Sequence, residues 1–198
     1  MHTEIVLENS KIQYFPTVFS PSESEKFFSQ LQTEIAWAQE PIVMFGKKIL
    51  QPRLTAYYGD SSKSYRYSGI TMVPKQWTPS LLEIKNRIER YCEAQFTSVL
   101  LNFYRDQLDS MGWHRDNEKE LGAEPLIASV SFGETRKFIF RNYKNKSEKK
   151  SLDLVSGSLL IMSGQTQTFW EHSIPKEKSA KDPRINLTFR IVKLSANW

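Results

Sequence analysis

The sequence predicts an α+β domain with helices early in the chain and a β-sandwich or open barrel after them. Three observations carry this. Two stretches in the first half have helix caps followed by apolar residues at helical spacing. After Thr97 the period shortens to that of strands, in β-branched and aromatic runs parted by polar turns. No repeat, linker or low-complexity tract divides the 198 residues, a length suited to one core.

The first helix is read from "FSPSESEKFFSQLQTEIAW". Ser20 is its N-cap, Pro21 its first residue and Glu23 the reciprocal partner of a capping box, with Phe27, Leu31 and Ile35 along one face. The second begins in "TPSLLEIKNRIERYCEAQF", capped by Thr78 with Pro79 first. Its apolar face is Leu81, Ile84, Ile88 and Tyr91. The strands expected after these are "SVLLNFYR", "PLIASVSFG", "RKFIFRN", "GSLLIMSG" and "RINLTFRIV". Helices first and strands afterwards is the α+β order.

The last strand has two distinct faces. Ile185, Leu187, Phe189 and Ile191 point one way; Arg184, Asn186, Thr188 and Arg190 point the other. Two arginines and a threonine on one face suit a small dicarboxylate, because guanidinium binds carboxylate in a bidentate way. From this strand alone, a solvated face with two surface arginines is the simpler reading. In "LLNFYRD", Asn102 and Tyr104 likewise share a face, and an ordinary polar outer face accounts for them equally well.

Hydrophobic residues make up 39% and aromatics 13%, the balance of a globular chain. The single cysteine, Cys92, has no partner for an internal disulfide and points to a reducing compartment. The N-terminal stretch carries no apolar run of signal-peptide length, and nowhere do 18 apolar residues run together. A soluble intracellular monomer with no membrane association is expected, cytoplasmic in a bacterium and nuclear in a eukaryote. The net charge of +5 favours a polyanionic partner such as nucleic acid, though an ordinary basic surface explains it as well.

Three histidines limit the chemistry: His2 near the start, His114 and His172. In "GWHRDNE", His114 and Asp116 stand two apart and can chelate one metal from an extended segment. His172 in "FWEHSIP" is the remaining imidazole. Two histidines and a carboxylate form the facial triad of non-haem Fe(II), which leaves positions open for cosubstrate and O2. Zinc more often takes a closed set, and a Cys-rich site is impossible with one cysteine. The kinase catalytic loop also begins His-Arg-Asp, but it needs asparagine where Leu121 stands, and no glycine-rich phosphate loop is present. The order His114-x-Asp116, then His172, then Arg184 and Arg190, is far more specific than any one part.

With these motifs in place, the chain resembles the AlkB family of Fe(II)- and 2-oxoglutarate-dependent nucleic-acid dioxygenases from about Met44 to Val192. "NFY" is similar to the family's Asn-x-Tyr, "HRD" to its His-x-Asp, and "RINLTFR" to its Arg-x-Asn-x-Thr-Phe-Arg. The resemblance implies a double-stranded β-helix (jelly-roll) core over about 96–194. Over about 1–95 it implies helices packed on the sheet and a nucleotide-recognition hairpin lid, the whole of 1–198 being one domain. It implies that His114, Asp116 and His172 hold Fe(II), and that Asn102, Tyr104, Arg184, Thr188 and Arg190 hold 2-oxoglutarate.

Within the family the chain is most similar to the human-type enzymes that repair alkylated double-stranded DNA. "MFGKKILQPRLTAYYGD" parallels their Val-Phe-Gly-Lys hairpin and the following Pro-Arg and Tyr-Gly-Asp, and "YRYSG" parallels their Tyr-x-Phe-Ser-Gly. By that resemblance Phe45, with Met44, forms the wedge that enters where the damaged base leaves the stack, and Gly46 and Lys47 of the same hairpin contact the substrate DNA. Tyr65 and Tyr67 line the base pocket, Arg53 touches the DNA backbone, and Asn117 and Glu118 face the base. Asn117 replaces the usual second acid, Tyr67 replaces phenylalanine, and Glu177 interrupts the basic run of Lys176 and Lys178. A wedge and a basic surface suit base flipping, in which an inserted side chain offsets part of the unstacking cost.

The reaction so implied couples decarboxylation of 2-oxoglutarate, to succinate and carbon dioxide, with hydroxylation of an N-methyl group on 1-methyladenine or 3-methylcytosine in DNA. Formaldehyde then leaves. Three alternatives stay open at this point: the same chemistry on RNA, including tRNA; an oxygenase acting on protein or small molecules; and a nucleic-acid-binding module with structural zinc.

Overall fold

The computed structural model describes residues 2–44, 47–61, 65–67 and 70–193, with 42–44, 47–48, 65–67 and 70–72 described by backbone alone. In chain order the elements begin with β1 (Thr3–Glu4), β2 (Lys11–Phe15) and α1 (Pro21–Glu34). The antiparallel pair β3 (Pro41–Met44) and β4 (Lys47–Leu50) follows, then β5 (Leu54–Gly59) and the pair β6 (Tyr65–Tyr67) and β7 (Ile70–Met72). After α2 (Pro79–Cys92) come β8 (Ser98–Tyr104), β9 (Met111–His114), β10 (Ile127–Gly133), β11 (Arg136–Asn142), β12 (Lys149–Leu154) and β13 (Ser158–Ser163). A single turn, α3 (Thr166–Phe169), precedes β14 (Trp170–Ile174) and β15 (Arg184–Arg190). Among these residues no helix is long and apolar enough to cross a membrane.

Both helices start where the caps place them. The Ser20 hydroxyl accepts from the Glu23 amide at 3.3 Å, and the Glu23 carboxylate accepts from the Ser20 amide at 2.8 Å. Thr78 caps α2 by accepting from the Leu81 amide. Phe27, Leu31, Leu81, Ile84 and Ile88 are buried, each worth about 1.5–3 kcal/mol of apolar transfer. Tyr91 departs from the expected stripe: it is 41% exposed, in the last turn of α2 with its ring edge-on to Phe15 of β2.

Seven strands form the larger sheet, in the order β1-β2-β13-β10-β15-β8-β5, and four form the smaller, β12-β11-β14-β9. All their pairings are antiparallel. The large sheet is covered on both faces. Val99, Leu101, Phe103, Val130, Phe132, Leu187 and Phe189 meet the helices, whereas Leu100, Ile127, Leu160 and Met162 meet Phe138, Phe140, Trp170 and Ile174 of the small sheet. Two facing antiparallel sheets with helices outside the larger one make a jelly-roll core.

This layering corrects the reading of the last strand. Arg184, Asn186, Thr188 and Arg190 are not on a solvated face; all four are buried between the sheets. Asn102 and Tyr104, on the neighbouring strand β8 and the same inner face, are buried with them. Polar side chains in such a layer are costly unless partnered, so this row marks a site.

Candidate active site

Antiparallel pairing of β9 with β14 sets His114 directly opposite His172, with ring centroids 4.2 Å apart. The chain leaves β9 after His114 and brings Asp116 back against the same spot. One ligand atom from each of His114, Asp116 and His172 lies within 4.8 Å of the others. Asp116 Oδ2 stands 3.7 Å from His172 Nε2 and is buried with no hydrogen-bond partner among the described residues. A buried carboxylate oxygen left so, beside two imidazoles, fits a divalent cation of the Fe(II) type.

Each ligand is oriented by its surroundings. His114 Nδ1–H donates to the Gly112 carbonyl at 2.9 Å, which leaves Nε2 bare for a metal. Phe138 lies against the His172 ring, 5.0 Å between centroids and 20° between planes. Arg190 Nη2 donates to Asp116 Oδ1 at 2.5 Å, and the Asp116 amide donates to Gln167 Oε1 at 2.9 Å.

The charges agree with this assignment. Burial would raise the Asp116 carboxyl, but Arg190 and the two histidines outweigh it and hold the group at about 2. Burial holds both imidazoles below their usual range, most strongly His172, which also feels His114. The triad is therefore one carboxylate and two neutral imidazoles, the ligating forms.

A cavity opens from the triad along the inner face of β8 and β15, walled by Asn102, Tyr104, Ser129, Asn186, Thr188 and Arg190 and by the apolar Leu100, Met162 and Ile174. Arg184 does not line it directly. Its guanidinium sits over the Tyr104 ring at 5.2 Å and donates to Ser131 Oγ at 2.9 Å, with Nε and Nη1 buried and unpartnered among the described residues. Burial lowers Arg184 to about 10, so it stays cationic at neutral pH. Orphaned guanidinium donors behind a cavity with a metal site at its other side fit a dicarboxylate such as 2-oxoglutarate.

The expected base and DNA residues divide three ways. Glu118 sits beside the triad: burial pushes its carboxyl up to about 7 against the pull of Arg190, and Oε2 has no partner among the described residues. Asn117 is exposed next to it. Phe45 and Gly46 lie outside the described residues, and Met44, Lys47, Tyr65 and Tyr67 are placed only as strand residues, Met44 opposite Lys47. Arg53 is a correction. It is 3% exposed and turned inward, donating to Asn102, Gln51 and the Ser110 carbonyl, so its guanidinium is not presented to a phosphate.

Gln167 and Gln51 belong to the site although no motif marks them. Their partners lie 51 and 2 residues away, and glutamine has no residue-type signature for either role.

Known proteins agree with this geometry. The family model described as the 2OG-Fe(II) oxygenase superfamily matches residues 11–190. The chain belongs to this superfamily. Its relatives place it among the AlkB-type dioxygenases. It is 42% identical to the bovine "Alpha-ketoglutarate-dependent dioxygenase alkB homolog 3" over 92% of this chain and 66% of that protein. It is 39% identical to the mouse "DNA oxidative demethylase ALKBH2" over 89% of this chain and 78% of that one. The chain thus spans just under two thirds of the bovine relative's length. The solved structure of OsALKBH1 superposes with a TM-score of 0.67 at 18% identity, covering 96% of this chain and 100% of that one, which supports the fold.

Proposed function

We propose that this AlkB-type chain oxidatively demethylates N-alkylated bases, 1-methyladenine and 3-methylcytosine, in DNA, using Fe(II), 2-oxoglutarate and O2. The observation that carries the proposal is the His–Asp–His triad, one carboxylate and two neutral imidazoles, at one side of a cavity lined by Asn102 and Tyr104, with the Arg184 donors that lack a partner among the described residues behind it. Bound iron and 2-oxoglutarate supply the oxidising chemistry that turns an N-methyl group into an N-hydroxymethyl group, which then loses formaldehyde.

The chain's own residues prepare that chemistry. His114 Nε2, Asp116 Oδ2 and one nitrogen of His172 hold the metal. Arg190 keeps Asp116 ionised and its second oxygen occupied, so that one oxygen faces the metal. Arg184, Tyr104 and Asn102 supply donors for the cosubstrate, and Thr188, whose hydroxyl donates to Asn186 Oδ1 at 3.1 Å, lines the cavity beside them. Leu100, Met162, Phe138 and Ile174 keep water from the reacting centre. Glu118, whose carboxyl burial pushes up to about 7, lies two residues after Asp116 and is assigned to hydrogen-bond the edge of the methylated base. The names of the relatives support a nucleic-acid substrate, and the ALKBH2 name supports DNA.

The test is formaldehyde release from a duplex carrying 1-methyladenine, with iron, 2-oxoglutarate and ascorbate in air, beside a matched RNA. Release that needs both cofactors and is faster on DNA is expected. Succinate without formaldehyde on either oligonucleotide would show an oxygenase with another substrate, and faster release from RNA would replace DNA as the target.

A further inference from the structure

Arg53 is a buried guanidinium whose hydrogen bonds all go inward. Nε donates to Asn102 Oδ1 at 2.6 Å, Nη2 to Gln51 Oε1 at 2.7 Å, and Nη1 reaches the Ser110 carbonyl at 3.4 Å. Among the described residues these acceptors are an amide, an amide and a backbone carbonyl, so no carboxylate accounts for burying the charge. The surrounding backbone is fixed too: Thr55 pairs with Asn102 across β5 and β8, and the Ser110 amide donates to the Pro52 carbonyl at 2.8 Å.

What this does to Asn102 follows from donor inventory. A carboxamide can present either its oxygen or its NH2 by a half-turn about its last torsion, and the two faces have opposite electrostatic sense. A guanidinium has donors only. Pinned by Arg53, Asn102 must keep its oxygen toward that side and turn Nδ2 the other way. Asn102 lines the cavity beside the triad, and Nδ2 makes no hydrogen bond to the described residues, nor is it among their buried unpartnered atoms. Its remaining surface therefore faces the cavity as two free N–H donors.

We propose that Arg53 is a positioning residue for the cosubstrate: it locks the Asn102 amide with Nδ2 aimed at a carboxylate in the cavity. The proposal rests on the dioxygenase reading above. Arg53 acts through Asn102 and touches no reacting atom. An unpinned amide would spend part of its time offering an oxygen to an anion, which repels it.

The test is a double-mutant cycle read by calorimetry of 2-oxoglutarate binding to the full chain loaded with Mn(II), so that no turnover is needed. Arg53→Met and Asn102→Ala are each expected to weaken binding by about tenfold, the order of one charge-assisted hydrogen bond. The double variant is expected to bind no more weakly than Asn102→Ala alone. In turnover, Arg53→Met should raise KM for 2-oxoglutarate and leave kcat nearly unchanged. Arg53→Lys, which keeps the charge and one donor, should recover part of the affinity. It also carries the measurement should the methionine variant not fold, with binding expected between wild type and Asn102→Ala.

Wild-type affinity in Arg53→Met, or in Arg53→Lys where that variant stands in, would overturn the positioning role. So would losses that multiply in the double variant, since Arg53 would then act by its own charge. Failure of the wild-type Mn(II) protein to bind 2-oxoglutarate would instead overturn the dioxygenase reading itself.

Discussion

Arg190 and Asp116 form a buried ion pair across 74 residues of sequence, 2.5 Å from Nη2 to Oδ1, with both side chains almost fully enclosed. The pair divides the carboxylate: one oxygen is spent on arginine and the other is left toward the histidines. Removing the cation would strand a buried negative charge, which typically costs about 3–5 kcal/mol. Arg190→Met should therefore unfold well below the wild type when metal-free. Added Mn(II) neutralises the same carboxylate, so the variant should gain more in melting temperature from Mn(II) than the wild type does. Melts with and without Mn(II) decide this, and equal gains in both proteins would show that the pair does not govern the site's charge.

Gln167 holds the metal site from behind. Its side-chain oxygen accepts from the Asp116 amide at 2.9 Å, while its nitrogen rests 3.6 Å from Met162 Sδ. Gln167→Leu keeps the volume but leaves the buried Asp116 amide without an acceptor. Losses of 10–100-fold in metal affinity are usual when an orienting partner is removed. Mn(II) titration followed by electron paramagnetic resonance should show a loss of about that size. Unchanged affinity would mean that β9 and Arg190 alone suffice to place Asp116.

How much of this was legible in the sequence depends on how local the determining contacts are. The helix starts at Ser20 and Thr78 were readable because a cap and its partner lie three residues apart. The alternation in "RINLTFRIV" was readable for the same reason, and the apolar set Ile185, Leu187 and Phe189 is buried as expected. Which side of the other set faces water was not readable. Alternation gives two faces but does not reveal that a second sheet covers one of them, so Arg184 and Arg190 looked like surface residues. The strand "WEHSI" carries His172 and is buried throughout, and it has no period to betray it. The metal ligands were legible through residue chemistry and order. Arg53 was read as a DNA contact because a motif shows which residue is present and not which way it points.

Glu23 links the first helix to acid stability. Its carboxyl is held down at about 2, first by the Ser20 amide and then by Arg87, whose Nη1 donates at 2.7 Å. The folded value lies below the ordinary 4.5, so the stabilisation is fully present above about pH 4.5 and is lost as pH falls toward 2. Glu23→Gln should flatten the acid limb of stability across that window while changing little at pH 7 beyond the loss of half a capping box. Chemical denaturation at pH 7, 4 and 3 checks it, and a parallel fall in both proteins would show that the acid limb belongs to other groups.

Arg136 makes the strongest structural demand outside the metal site. Its side chain is fully buried on β11 and meets four acceptors: the carbonyls of Asp106, Asp109 and Pro175, and Glu177 Oε1. The first two lie just before β9, which carries His114. The others lie just after β14, which carries His172. One guanidinium therefore ties together the approaches to both histidine strands, and only its planar fork reaches all four. Lysine has one nitrogen at the end of its chain and would leave buried carbonyls unmet, at about 1–3 kcal/mol each. Arg136→Lys is thus expected to destabilise the protein by several kcal/mol in urea denaturation despite keeping the charge, and to weaken Mn(II) binding in the fraction that folds. Full stability in the lysine variant would show that the charge facing Glu177 matters and the fork does not.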